Sequence, residues 1–345
     1  MRVAMYYNNQ DVRLEEKPTP QIGPGELLLK IEASGICGSD VMEWYRLKKA
    51  PLVLGHEVSG EIVTIGDGVK RYKKGERVAA SHHVPCNTCY YCLKGHHTAC
   101  ETLRHTTFDP GGFSEFVRLP AINVDRGVYP IPDDVSFEEA SFTEPLACAL
   151  RGQRIADVKP GDSVLIIGSG IAGLLHITLA RALGAGLIMA TFHRGTTEER
   201  VKVARQFGAD VVVNAKDDVS DALRQANDGM LADKVIVCTG ATSSIIQALK
   251  CVERGGTVLF FAPTGPKVTI PITLNELFWG NDITLTTSYA GSPADHIVAL
   301  ELIRAQTVKI REMITHRLSL AETGLGFQLL ANAQKNIKVI IEPQR

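Results

Sequence analysis

Four cysteines fall within one stretch of fifteen residues: Cys86, Cys89, Cys92 and Cys100, spaced C-x2-C-x2-C-x7-C. Thiolates this close in sequence can converge on one ion, and a closed tetrahedral sulfur shell is how proteins hold structural zinc. The sharper rival is an iron–sulfur cluster, for which bacterial ferredoxins use C-x2-C-x2-C-x3-C-P. Here the last gap is seven residues and Glu101, not proline, follows Cys100, so zinc is the better fit. His82, His83, His96 and His97 flank this run; because four thiolates already complete a tetrahedron, they are expected to be solvated rather than ligands. A further cysteine, Cys37, sits in Gly35-Ile-Cys-Gly-Ser39-Asp40, and nineteen residues later comes Gly55-His56-Glu57. Taken singly, Cys37 reads as a small buried hydrophobe and His56 as a satisfied core histidine.

A different chemistry is suggested by Gly168-Ser-Gly170-Ile171-Ala172-Gly173, which follows the apolar run Ser163–Ile167 and opens a helix-length apolar segment. In that strand–turn–helix setting G-x-G-x-x-G is a dinucleotide loop. Gly168 permits the tight turn, Gly170 lets a pyrophosphate approach the backbone, and Gly173 lets helix pack on strand. The end of the next strand reads on the adenosine ribose. An NAD site usually has a carboxylate there, but this strand runs into Thr191-Phe-His193-Arg194-Gly-Thr-Thr197, whose His193 and Arg194 suit a 2′-phosphate, so NADP is favoured. Glu198 and Glu199 are weaker ribose candidates. Cys238-Thr239-Gly240 and Ala262-Pro-Thr-Gly265 end further strands where cofactor contacts are expected.

These residues need a scaffold, and its two halves read differently. Up to about residue 120, short period-two apolar runs such as Glu26–Ala33, Val58–Ile65, Arg77–Ala80 and Phe113–Leu119 lie between glycine and proline turns, which predicts a β-rich barrel or sandwich. From about residue 150, buried strands (163–167, 187–191, 210–213, 234–238, 257–261) alternate with helical segments (172–183, 197–207), which predicts a doubly wound parallel sheet. The tail has a helical stretch at 295–305 and a strand at 338–341. The fold class is therefore α/β, with domains expected at 1–150, 151–288 and 289–345. At 345 residues the chain is long enough for two cores. Its formal net charge of −1 gives no electrostatic footprint for nucleic acid or an anionic membrane. With no apolar leader at the N-terminus and no run long enough to span a bilayer, an intracellular, cytoplasmic protein is expected. Cys148, Cys238 and Cys251 lie in apolar runs and are expected to be buried and inert.

Together these motifs resemble the zinc-dependent medium-chain alcohol dehydrogenase family, in its sorbitol (polyol) dehydrogenase-like branch. Gly55-His-Glu-x-x-Gly60-x5-Gly66-x-x-Val69 matches that family's zinc signature at each fixed position, and the cysteine lobe, Thr143-Glu144-Pro145 and the glycine loop follow in the family's order. The resemblance implies a GroES-like catalytic domain rejoined by the C-terminal segment, a Rossmann domain, and two zinc ions per chain. Cys37, His56 and Glu57 match the catalytic-zinc positions. Glu144 matches a position that binds zinc directly or holds its water. Ser39 matches the hydroxyl relay. The chemistry implied is hydride transfer between a secondary alcohol of a small hydroxylated substrate and NAD(P), with zinc lowering the pKa of the alcohol. In many sorbitol- and threonine-type members a relay histidine stands five residues after the cysteine; here that residue is Met42, which counts against threonine oxidation. Glu144 in place of cysteine counts against an ethanol-type enzyme. Glu43, Trp44 and Tyr45 are candidates to line the substrate pocket. A reading of another class is a non-catalytic, zinc-stabilised nucleotide-binding protein. Family habit implies a homodimer or homotetramer, often joined edge to edge through the nucleotide domains.

Overall fold

The computed structural model describes residues 1–193, 197–331 and 336–345, the side chains of 197–200 excepted. The chain divides into two compact units, Met1–Ala147 with Ala290–Arg345, and Cys148–Tyr289. In chain order the first part of the first unit carries strands β1 (Arg2–Asn8), β2 (Asp11–Glu16), β3 (Leu27–Gly35), β4 (Leu52–Val53), β5 (Glu57–Ile65), β6 (Arg77–Ser81), β7 (Phe116–Leu119) and β8 (Val128–Pro130). The second unit carries β9 (Ser163–Ile167), β10 (Leu187–Phe192), β11 (Val211–Asn214), β12 (Ala232–Val237), β13 (Val252–Phe260) and β14 (Thr284–Thr287). The chain then returns to the first unit with β15 (Ile314–Ser319) and β16 (Lys338–Glu342).

In the first unit a seven-stranded sheet runs β15-β16-β3-β5-β6-β8, with β7 also paired to β3. Its pattern follows from period-two burial: Leu27, Leu29, Ile31 and Ala33 of β3 are buried while Leu28, Lys30 and Glu32 between them are only half-buried. The inward residues meet Val58, Ile62, Val78, Val117 and Leu119 in one core. A second core joins β1 to the last strand through Val3, Tyr6, Ile36, Phe113, Phe327, Val339 and Ile341.

Register decides where the chemistry lies. Gly35 at the end of β3 faces Glu57 at the start of β5, and Glu57 faces Ser81 at the end of β6. From the other side Ile340 of β16 faces Gly35, which brings Lys338 alongside. Four strands thus deliver their terminal residues to one end of the sheet. The approach is so close that a Cβ at Gly35 would lie 2.0 Å from a Glu57 carboxylate oxygen, so only glycine fits there.

The second unit is a six-stranded parallel sheet in the order β11-β10-β9-β12-β13-β14. Renumbered from β9 this is 3-2-1-4-5-6, the doubly wound dinucleotide arrangement. Every residue of β9 is buried, as a central strand covered on both faces must be. No described helix is long and apolar enough to cross a membrane.

Candidate metal centres and nucleotide loop

The four clustered cysteines come together. Sγ–Sγ separations are 3.6 Å for Cys89–Cys92, 3.6 Å for Cys86–Cys100 and 4.0 Å for Cys86–Cys92. A zinc–sulfur bond of about 2.3 Å gives a tetrahedral edge of about 3.8 Å, so the spacing suits one ion. All four are free thiols. They are not equivalent: hydrogen bonds from Thr88 and the Cys89 N–H draw the Cys86 thiol down to about 5, while burial and its sulfur neighbours push Cys92 up to about 12. Four thiols packed this way need a cation before all can ionise. The lobe is tied back by Arg126, whose guanidinium donates to the carbonyls of Pro85 and Cys86.

The second group forms at the sheet end. Ligand atoms of Cys37, His56 and Glu57 all lie within 4.8 Å of one another. Asp40, wholly buried, organises two of them. One oxygen accepts from the Cys37 N–H at 3.0 Å, and the other lies 3.4 Å from His56 Nδ1. With Nδ1 directed to Asp40, Nε2 is the nitrogen left for a metal. Burial works against charge on His56, yet Asp40 and the Cys37 sulfur together draw its pKa well above the ordinary histidine value. Anionic groups converging on one imidazole are the setting a divalent cation fits. Glu57 is 1% exposed and ion-paired with Lys338, itself 1% exposed, whose ammonium also donates to the Ile36 carbonyl at 3.1 Å. Arg46, beside them, donates from Nε to the Ser39 carbonyl at 3.0 Å and from Nη2 to Ser39 Oγ and Asp40 Oδ1 at 3.1 and 3.2 Å.

Glu144 stands in the first turn of the helix Thr143–Ile155, half-buried and outside the group of three converging ligands. Trp44 is 42% exposed, Glu43 is exposed with its carboxylate on the Asn9 N–H, and Met42 precedes their short helix. His96 is exposed, as expected, but His82 and His83 are not simply solvated. The His82 ring lies tilted between two others, its centroid 4.8 Å from that of His56 and 3.8 Å from that of His83. The signals for Asp40, Arg46, His82 and Lys338 were faint in the sequence. Only Asp40, inside the Cys37 motif, has a local cue.

In the second unit Gly168 follows β9 with φ +104°, and a Cβ there would lie 3.5–3.6 Å from Cys238 and Thr239 at the end of β12. The glycine turn and Cys238-Thr239-Gly240 therefore adjoin at the switch point where strand order reverses. Gly170 caps the helix Ile171–Ala182, with open space where its Cβ would be. A Cβ at Gly173 would strike the Gly168 carbonyl at 1.8 Å, so helix and turn close only on glycine. Ile171 and Ala172 form the first turn, half-buried, below the free N–H groups that would meet a pyrophosphate. His193, exposed, follows β10; Arg194 lies outside the described residues. Burial raises the Cys238 and Cys251 thiols, the second to about 12, so neither is a nucleophile at neutral pH.

Comparison with known proteins agrees with this layout. Residues 23–133 match the alcohol dehydrogenase GroES-like domain and residues 172–305 the zinc-binding dehydrogenase domain. The chain is similar to sorbitol dehydrogenase of Mus musculus, 30% identical with 96% of this chain and 93% of that protein covered. It is similar to L-threonine 3-dehydrogenase of Bacillus licheniformis, 32% identical with 94% of each covered. Among solved structures it resembles a Sinorhizobium meliloti zinc-binding dehydrogenase bound to NADP, with TM-score 0.86 and 27% identity over 99% of both chains. The chain thus belongs to the zinc-dependent medium-chain alcohol dehydrogenase family, in its sorbitol dehydrogenase-like branch.

Proposed function

We propose that this protein transfers hydride between a secondary alcohol of a small polyol or related hydroxylated molecule and NAD(P). The observation that carries this reading is the convergence of Cys37, His56 and Glu57 within 4.8 Å, backed by a buried Asp40. Cys37, His56 and one oxygen of Glu57 would hold a catalytic zinc, with Glu144 as a further ligand or as holder of its water; Cys86, Cys89, Cys92 and Cys100 would hold a structural one. A zinc held there would supply Lewis acidity toward the alcohol oxygen, and NAD(P) held at Gly168–Gly173 would supply the hydride acceptor. Ser39 is the proton carrier. Arg46 donates to its Oγ, which fills one lone pair and leaves the hydroxyl proton and the other lone pair for substrate. Lys338 fixes one oxygen of the Glu57 carboxylate. Met42, unable to carry a proton, counts against threonine as the substrate.

NADP is the proposed cofactor, because β10 runs into His193 and Arg194 with no carboxylate at that point. All eight cysteines are free thiols, which supports a reducing, cytoplasmic setting. A homo-oligomer is proposed through β14, the edge strand of its sheet. Near it in sequence stand Leu274, Phe278 and Trp279, which are 69%, 59% and 77% exposed.

The test is a panel of polyols, sugar phosphates, amino alcohols and simple alcohols, each with NAD and NADP, together with metal analysis of wild type and Cys37→Ser. Two zincs per chain, polyol turnover with NADP, and one zinc with no turnover in the variant are expected. Full turnover by Cys37→Ser sinks the catalytic-zinc reading. Strict NAD preference overturns the role given to Arg194, and robust threonine oxidation overturns the use made of Met42.

A further inference from the structure

Of the residues between Cys37 and Ala50, only Asp40 is buried. The short helix Glu43–Arg46 in this segment has no buried residue and no side-chain cap. With so little apolar burial, polar contacts must hold the segment in place. Some are internal. Arg46 bonds Ser39 and Asp40, and its guanidinium lies 4.8 Å over the Tyr45 ring, with the Lys49 ammonium 5.0 Å from the same ring. The inner side is attached through Asp40, which accepts from the Cys37 N–H and lies beside His56. Val41 and Ala50 pack in part on the core that contains β1. The outer side takes two hydrogen bonds from Asn9, in the turn between β1 and β2.

Asn9 is itself anchored. Tyr6 is fully buried, its ring 5.5 Å from that of Phe327, and its hydroxyl donates to Asn9 Oδ1 at 3.0 Å. Asn9 Nδ2 then donates to the Val41 carbonyl at 2.8 Å. The short helix starts one residue too late to use that carbonyl, since the Tyr45 and Arg46 N–H groups bond to Met42. A carbonyl only accepts, so the amide group can stand one way round. The Asn9 N–H adds a bond to the Glu43 carboxylate at 3.1 Å. Core, turn and segment are joined in series, and Ser39 stands two residues before Val41.

We propose that Asn9 is a positioning residue for the hydride-transfer reaction, latching the segment that carries Ser39, Trp44 and Tyr45 to the fixed Tyr6 hydroxyl. This rests on the reading of Ser39 as proton carrier given above. A latched segment meets the substrate already ordered. Once freed it spreads over other arrangements, and apparent affinity falls by the fraction of time it stands in place. The hydrogen bonds of Asn9 go to Tyr6, Val41 and Glu43, so its effect reaches Ser39 along the chain and not by contact.

The experiment compares wild type, Asn9→Ala, Asn9→Asp and Tyr6→Phe. It reads hydrogen–deuterium exchange of residues 38–49 in the metal-loaded, substrate-free protein. It also reads KM and kcat on whichever of sorbitol, xylitol and 2,3-butanediol wild type turns over fastest, with cofactor KM, zinc content and Tm alongside. Asn9→Ala should speed exchange in 38–49 and raise the alcohol KM roughly fivefold, with kcat, cofactor KM and zinc content within about twofold of wild type. Asn9→Asp keeps an acceptor for Tyr6 but has no donor for Val41, so it should match Ala. Tyr6→Phe leaves the amide present but unanchored, and should fall between Ala and wild type. Unchanged exchange in Asn9→Ala, faster exchange without a rise in alcohol KM, or equal losses in alcohol KM, cofactor KM and Tm overturns the proposal. Turnover of none of the three alcohols by wild type removes the activity on which it rests. Cys37→Ser run alongside separates the two readings. If that variant stays active the metal-centre reading fails; if it is inactive while Asn9→Ala keeps the wild-type KM, only the role of Asn9 fails.

Discussion

Arg46 carries an unusual share of the candidate site for a residue that binds no metal. Its guanidinium meets Ser39 twice and Asp40 once, and Asp40 in turn orients Cys37 and His56. The planar fork suits this task in a way a lysine does not. Arg46→Met is expected to lower kcat/KM by roughly tenfold with metal content unchanged from wild type, because it unfastens the Ser39 hydroxyl and leaves the buried Asp40 one partner short. Arg46→Lys should recover only part of the loss. Steady-state kinetics with metal analysis checks both. At this scale the sequence exposed the two converging groups, since Cys37, His56, Glu57 and the four lobe cysteines sit in recognisable short patterns. Their supports were hidden for a physical reason. Lys338 is 281 positions from Glu57, and only strand register brings the two together. His82 flanks the cysteine lobe in sequence, while in space its ring lies against His56 and Phe108.

The elements with simple periodicity were the legible ones. β3, β5 and β9 could be placed from alternation or from unbroken apolar runs, and the helix Ile171–Ala182 from its length and its glycine start. β14 was not legible: Thr-Leu-Thr-Thr at a sheet edge has neither an apolar run nor a strict alternation. Two element-level predictions follow from the packing. Within the helix Ile171–Ala182, His176 is fully buried against Phe261 and Gln153, and burial lowers its pKa to about 3 from the ordinary 6.5. Between those values the unfolded chain holds a proton that the folded chain does not. Stability therefore rises with pH across this window and is lost as pH falls, by up to roughly 1.4 kcal/mol per pH unit from this group. His176→Gln should flatten the stability curve between about pH 6 and pH 4.5 relative to wild type, as read by denaturant unfolding at each pH. In the cysteine lobe, Cys100→Ser should cost one zinc per chain. Arg126, Leu103 and the lobe's short turns then hold it without a shared ion, so limited proteolysis should cut within 86–100 in the variant before it cuts wild type.

The whole molecule adds what neither residues nor elements contain. The first unit is assembled from both ends of the chain, and the second, a complete doubly wound sheet, is inserted between them. Exposed Phe278 and Trp279 stand a few residues before the edge strand β14, and a second copy is the occupant proposed for that face. Phe278→Glu with Trp279→Glu is expected to shift the protein to monomer in sedimentation velocity while its Tm changes little. An unchanged sedimentation coefficient would place the contact elsewhere.

Because β16 lies between β15 and β3, inside its sheet, the order of synthesis acquires a meaning. As the chain leaves the ribosome the nucleotide unit is complete some fifty residues before Lys338 is made. Until those residues arrive, Glu57 lacks the Lys338 ammonium and its sheet has an open seam between β15 and β3. A chain without β16 would therefore keep its six-stranded parallel sheet whole while leaving the buried Glu57 carboxylate without the Lys338 ammonium that pairs with it.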